Sequence, residues 1–412
     1  MLAFPCALCN LCKTMLVGLD RLPTLPGLIS RCKAASFGLL AHSASVDRNL
    51  VHVSDVLGKL ALRPTRIFGP EHGYGGEAQD MVGVAGAIDD RTGVPIISLY
   101  GDRFEDLSPR PEQLDGLEVL LIDLCDIGSR YYTFVWTALL AIRAAARQGV
   151  HCVLLDRTNP VGGHGSQVEG SPQRPGFLSF VGLEPIPVRH GMTPGELVAE
   201  MVVRQGLSLG VDGALEVIAV QGWDRRTMAQ GWDRPFVQPS PNMPTADTAL
   251  VYPGGCLLEG TNLSEGRGTT RPFEVFGAPW LDGRKLAQGL EASGLPGFVA
   301  RPITFIPTFH KHAKSVCGGV QIHVTDPSSF RPYAVYLAAI ALARRLAPEQ
   351  FRFRTERYEF VDDIPAIDLL VGCSEVRAAM EACAPVQEVI DLVSEPGASY
   401  LELHEQAVRR VS

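Results

Sequence analysis

The stretch RIFGPEHGYGG, Arg66 to Gly76, sets Glu71 and His72 between a short β-prone run and a loop rich in glycine. A glutamate at the mouth of a buried strand can act as a general acid, and glycines let a substrate approach the backbone. The competing reading is a tight turn whose glutamate caps the next element. CDIGSRYYTF, Cys125 to Phe134, offers Asp126, Arg130, Tyr131 and Tyr132. Tyrosines there can stack on sugar rings or donate to an oxyanion, although one of the pair is expected to be core. Cys125 is either packing or a nucleophile served by His72 or His190. LLEGTNLSEGRGTTRPFE, Leu257 to Glu274, mixes Glu259, Asn262, Glu265, Arg267, Arg271 and Glu274 with small residues. That mix suits a binding loop in which Arg267 or Arg271 grips a carboxylate through its planar fork. Its alternative is a solvated loop with surface ion pairs.

Other patterns carry less. VGGHGSQVEG lacks the glycine spacing and the immediate strand-to-helix context of a dinucleotide loop. His310, His312 and His323 match no standard metal spacing and read as surface or packing residues. Cys6, Cys9 and Cys12 have the spacing of a cluster-binding run but lack a nearby fourth ligand. The remaining cysteines sit among apolar residues and read as small buried hydrophobes.

Regular elements must position these groups. SFGLLAH, TRIFG, VPIISLYG, LEVLLIDL, HCVLLDR, PIPVRHG and ALEVIAV read as strands. Between them lie helical patterns: NLVHVSDVLGKLAL, with Leu50, Val53, Leu57 and Leu60 on one face; TFVWTALLAIRAAARQG; and TPGELVAEMVVRQG, with Thr193 as N-cap and Glu196 completing a capping box. Strands alternating with helices predict an α/β fold with a mostly parallel sheet, which binds ligands outside the carboxyl ends of its strands. Those ends carry His42-Ser43, Glu71-His72, Tyr100-Gly101, Asp126, Asp156-Arg157-Asn159 and Arg189-His190, as expected for a lined crevice. From Trp223 the chain becomes proline-rich and aperiodic, which predicts a crossing segment. Beyond it RPITFIPTF and GGVQIHVTD read as strands and YAVYLAAIALARRL as a helix, so a smaller α+β domain follows.

At 412 residues the chain exceeds one ordinary core. Hydrophobic residues at 46%, charged residues at 20% and a net charge of -8 describe a soluble globular protein and exclude a nucleic-acid binder. No apolar run reaches membrane-spanning length. The N-terminus lacks a basic region ahead of an apolar one, so no signal peptide is read and the cytoplasm is the expected compartment.

Taken together, FGPEHG (68–73), SLYG (98–101), CDIGSRYYTF, LDRTNPVGG (155–163), PIPVRHGMTPGELVA, the long run from Pro239 to Trp280, and CGGVQIHVTD (317–326) resemble the exo-β-N-acetylmuramidases of the NamZ/YbbC type. Cys125 and Phe134 stand where that family often has glutamine and tyrosine. The resemblance implies a glycosidase that removes N-acetylmuramic acid from the non-reducing end of peptidoglycan-derived saccharides, acting on a muropeptide or a muramic acid–glucosamine saccharide. It implies no metal, nucleotide or other cofactor. It also implies an N-terminal extension at 1–30, a Rossmann-like domain at 31–235 and a smaller auxiliary α+β domain at 236–412, with the site in the cleft between the domains. Glu71 then takes the place of the catalytic glutamate, with His72 and Tyr131 or Tyr132 beside it. Ser43, Asp126, Arg130, Asn159, His190, Asn242, Asn262, Glu265, Arg267 and Arg271 are the expected substrate contacts. Asp126, Glu265 or the sugar's own acetamido group is the second catalytic participant. A sugar-binding protein without activity and a Cys125-dependent hydrolase are the rival readings.

Overall fold

The computed structural model describes residues 14–79 and 86–411, so the Cys6, Cys9 and Cys12 run lies outside the described residues. The first part of the chain supplies β1 (Phe37–Ala41), β2 (Arg66–Gly69), β3 (Ala87–Ile88), β4 (Pro95–Ser98), β5 (Val119–Asp123), β6 (His151–Leu155) and β7 (Leu215–Ile218). They form one sheet in the order β3-β4-β2-β1-β5-β6-β7, parallel throughout except for the short edge strand β3. The order reverses between β1 and β5, the place where sheets of this kind open a crevice at their carboxyl edge.

Side-chain alternation divides the central strands between two apolar layers. Leu40, Phe68, Leu120, Ile122 and Leu154 point into one, which also receives the helices Phe134–Arg147 and Pro194–Arg204. Leu39, Ile67, Leu121, Val153 and Leu155 point into the other, which receives the helix Val53–Lys59. The second of the larger helices begins as its sequence predicts. The Thr193 hydroxyl accepts from the Glu196 amide, and the Glu196 carboxylate accepts from the Thr193 amide.

The later part of the chain contributes an antiparallel sheet, in which β10 (Cys317–Val324) lies between β8 (Val275–Ala278) and β9 (Phe298–Phe305). The helix Gly283–Ala292 packs on β9 and β10, and the helix Pro332–Leu346 packs on Gly283–Ala292 in turn. The same apolar layer that fills one face of the parallel sheet continues among Phe276, Tyr333 and Tyr336 here. The last helix, Ala398–Val411, returns to the first part and packs on Pro194–Arg204, where the Tyr400 hydroxyl donates to the His190 carbonyl at 2.8 Å.

Some local expectations need correction. PIPVRHG is not a strand: Arg189 makes only isolated bridges to Ser129 and Glu169, because this segment crosses the strand ends instead of joining the sheet. The proline-rich segment holds a helix, Ala246–Gly255, since Thr245 caps it and Pro253 falls near its end. Leu50 lies outside the helix begun by Val53, in left-handed backbone with φ 62, and is exposed.

Candidate active site

The sheet's carboxyl edge and the later segments share a small pocket, lined among others by Glu71, His72, Tyr132, Thr133, Asn242, Glu259, Arg267, Tyr358 and Glu359. Glu71 leaves the end of β2 and is 5% exposed. Its Oε2 accepts a hydrogen bond from the Thr133 hydroxyl at 2.7 Å. Thr133 occupies the N-cap position of Phe134–Arg147, yet its side chain does not cap the helix. The hydroxyl serves the glutamate instead. His72 has φ 68, a costly conformation for a non-glycine residue. Its Nδ1 lies 2.8 Å from the Ala78 carbonyl, which can only accept, so Nδ1 carries the hydrogen.

The chain's own turns account for much of the glycine run around Glu71. Gly73 and Gly76 have φ of 82 and 75, and a side chain on Gly69 would strike the Tyr74 amide at 2.7 Å. A Cβ on Gly76 would meet the Ser43 hydroxyl at 2.4 Å, so exposed Ser43 lies against this loop.

The adjacent tyrosines separate by environment. Burial drives both phenols far above their ordinary titration range. The Tyr132 hydroxyl lies in the field of Cys125, Asp126 and Glu71, and its ring meets Phe134 and Tyr252 edge-on. Tyr131 also lines the pocket, but its phenol faces Tyr333, Arg130, Cys256 and Glu169. Tyr132 is therefore the tyrosine next to the glutamate.

The opposite wall is held by charge. Arg267 donates to Glu259 Oε1 at 2.7 Å, and the Tyr358 hydroxyl donates to Glu259 Oε2 at 2.8 Å. The Arg267 guanidinium sits 5.1 Å from the centre of the Phe273 ring and 3.5 Å from Glu265. Glu265 is fully buried with Lys311 at 3.0 Å and His310 at 2.7 Å. Burial alone would push its carboxyl up, but Lys311, His310 and Arg267 outweigh that and hold it well below the usual carboxylate range.

Several residues expected at the site stand elsewhere. Arg130 is buried with its guanidinium donating to the Ser171, Ile186 and Leu370 carbonyls, so it braces the main chain. Asp126 accepts from the Gly128 amide at 2.8 Å and from His190 Nε2 at 3.0 Å, while His190 Nδ1 accepts from the Met192 amide. Asn159 bonds the Met192 carbonyl and the Val161 amide. Asn262 holds the Gln350 carbonyl and the Arg352 amide. Arg271 is exposed, next to Glu274 at 3.5 Å, and lines a different groove with Gln321 and His323. The two carboxylates expected as second participants, Asp126 and Glu265, do not line this pocket: each is held in a buried pair with a cationic or imidazole partner, and Asp126 lines a second cavity with Cys125 and Arg157. The Cys125 thiol donates to the Ala44 carbonyl, and burial pushes it up, away from thiolate character. Both ring nitrogens of His190 are engaged, by Asp126 and the Met192 amide, so it does not stand as the thiol's base.

The strand ends are polar largely because they are tied together. Arg157 forks onto Asp123 at 2.5 and 2.6 Å, His42 Nε2 accepts from the Cys125 amide, and Asp156 accepts from Thr193 and Gly195. Sequence reading passed over Thr133 and the Tyr358-Glu359 pair. Thr133 stood inside a motif already singled out, whereas nothing local marks Tyr358 and Glu359.

Comparison with known proteins shows the family and the fold. The family model for the N-terminal part of exo-β-N-acetylmuramidase NamZ matches residues 37–247, and that for its C-terminal part matches 250–408. The peptidoglycan β-N-acetylmuramidase NamZ of Bacillus subtilis (strain 168) is 39% identical over 375 residues, covering 91% of this chain and 86% of that protein. Two crystal structures of DUF1343-family proteins from Bacteroides fragilis NCTC 9343 share the fold. One has a TM-score of 0.82 at 28% identity and the other 0.67 at 25%, each covering 97% of this chain and 98% of its own. This chain belongs to the NamZ family of exo-β-N-acetylmuramidases.

Proposed function

We propose that this protein is an exo-acting β-N-acetylmuramidase that releases N-acetylmuramic acid from the non-reducing end of peptidoglycan-derived saccharides, with Glu71 delivering the proton to the leaving oxygen. The observation that carries this is a single pocket that holds Glu71 against Thr133, Tyr132 beside it, and Arg267 on the opposite wall. Glycoside cleavage needs a proton for the departing oxygen and support for an oxocarbenium-like centre. Glu71 meets the first need. Its hydroxyl partner Thr133 fixes the carboxyl rotamer, which lowers the cost of alignment.

N-acetylmuramic acid differs from N-acetylglucosamine by a lactyl ether that bears a carboxylate. Arg267 is the arginine of this pocket, and its planar fork suits that group. Glu259 and the Phe273 face orient the guanidinium before a ligand arrives. His72 and Asn242 complete the polar lining on the side of Glu71.

Release of a chromophore from an aryl β-glycoside of N-acetylmuramic acid tests the reading. Turnover that survives a thiol-alkylating agent and collapses in Glu71→Gln is expected. Binding without turnover would favour a sugar-binding protein instead, and loss of turnover on alkylation would return attention to Cys125.

A further inference from the structure

Glu359 is held in the pocket by backbone that its own residue type disfavours. Tyr358 and Val361 exchange both main-chain hydrogen bonds, each 3.0 Å, across Glu359 and Phe360. Those two have φ of 46 and 70. A two-residue hairpin turn with both central residues left-handed is the type that normally uses Asn-Gly, because a Cβ there is strained. Here it is built from glutamate and phenylalanine.

Phe360 explains its own place. Its ring meets Tyr100 at 6.0 Å, Phe104 at 6.2 Å and Phe180 at 6.1 Å, so it pins the turn to loops of the parallel-sheet part. Glu359 has no such apolar role. It is buried, lines the same pocket as Glu71, and its Oε2 lies 3.5 Å from the Tyr100 hydroxyl. Burying a carboxylate and straining its backbone both cost stability, and costs of this kind gather where a ligand must be met.

We propose that Glu359 is a substrate-contacting residue, a carboxylate that accepts hydrogen bonds from hydroxyl or amide groups of the sugar bound beside Glu71. This rests on the muramidase reading above. The strained turn is kept because only the combination of Phe360 anchored outside and Glu359 turned inward presents that acceptor at the reacting ring.

The test pairs stability with kinetics on the muramic acid aryl glycoside. Asn is favoured in this turn, so Glu359→Asn should raise the Tm by about 1–3 °C while kcat/KM falls roughly tenfold to a hundredfold. Glu359→Gln keeps the side-chain length and an acceptor oxygen, so it should leave the Tm nearly unchanged and recover part of the lost kcat/KM. An active wild type with a fully active Glu359→Asn variant overturns the proposal. So does a fall in Tm in that variant, since the glutamate would then be a structural support. A wild type inactive on the glycoside would overturn the muramidase reading, and this proposal with it. The wild-type control thereby separates the two failures.

Discussion

The two walls of the pocket are built by different physics. The wall that carries Glu71 is made of regular elements: Glu71 follows a strand of the parallel sheet, and Thr133 begins a helix packed against that sheet. The facing wall has little regular structure at the pocket. Arg267 is placed by Glu259, Glu265 and an aromatic face, and Glu359 by a strained turn. Backbone hydrogen bonding fixes the first wall wherever the sheet forms. The second stands only if each charge finds its partner, because an unpaired buried charge costs far more than a lost hydrogen bond. Chemistry placed on the rigid wall and recognition placed on the electrostatic wall should therefore fail in different ways when cut.

The sharpest break is Glu71→Gln. It should lower kcat by about 10²–10⁴, the scale of a lost general acid, with the unfolding midpoint unchanged, since the sheet and not the carboxylate holds that wall. Near-normal turnover in a folded Glu71→Gln protein would remove Glu71 from the mechanism.

Glu265→Ala attacks the other wall where it is most exposed to failure. Removing this carboxylate leaves Lys311 without its buried counter-charge and Arg267 with Glu259 alone, and stability should drop by about 3–5 kcal/mol. Urea unfolding measures it; a loss below about 1 kcal/mol would mean that solvent already shields the network.

Arg267→Ala should cost roughly tenfold to a hundredfold in kcat/KM on muramic acid glycosides and much less on glucosamine glycosides. Assaying both sugars decides it. Equal losses would assign Arg267 to holding the wall and not to reading the lactyl group.

Thr133→Val is the mildest cut to the chemical wall. The isosteric change deletes the hydroxyl that donates to Glu71, and kcat should fall about tenfold with KM little changed. A rise in KM alone would place Thr133 in binding and not in aligning the acid.

The smallest effect is a pH slope of opposite sign in the two parts. Burial raises the Asp156 carboxyl to about 7. Its folded value lies above its unfolded one, so its contribution is full below the ordinary carboxylate range and is lost as pH rises through about 7. The Glu265 carboxyl is depressed in the folded chain by Lys311, His310 and Arg267, so its contribution is present above the ordinary range and lost as pH falls below it. Asp156→Asn should flatten the decline in stability between roughly pH 4 and 7 while leaving the acid limb intact. Urea midpoints across that range read it, and an unchanged slope would show that Asp156 is ionised in the folded protein throughout.

The parallel sheet, its flanking helices and the glutamate of FGPEHG could be read from the sequence because each depends on neighbours along the chain. Apolar runs and their period set the strands, Thr193 and Glu196 set a helix start, and a strand end sets Glu71 at the carboxyl edge. The polar strand ends misled for a related reason. Residue type shows that Arg157, Asp126 and Arg130 are polar, but not whether a partner from far along the chain already occupies them. The choice of Tyr132 over Tyr131 likewise waited for the fold, since adjacent residues differ only in what surrounds them. Glu359 was invisible for the strongest reason: its turn is unfavourable locally and exists only because Phe360 is gripped by rings from Tyr100, Phe104 and Phe180. Short-range backbone preferences thus determined the wall that carries the acid, and long-range packing and charge pairing alone decided the wall that faces it.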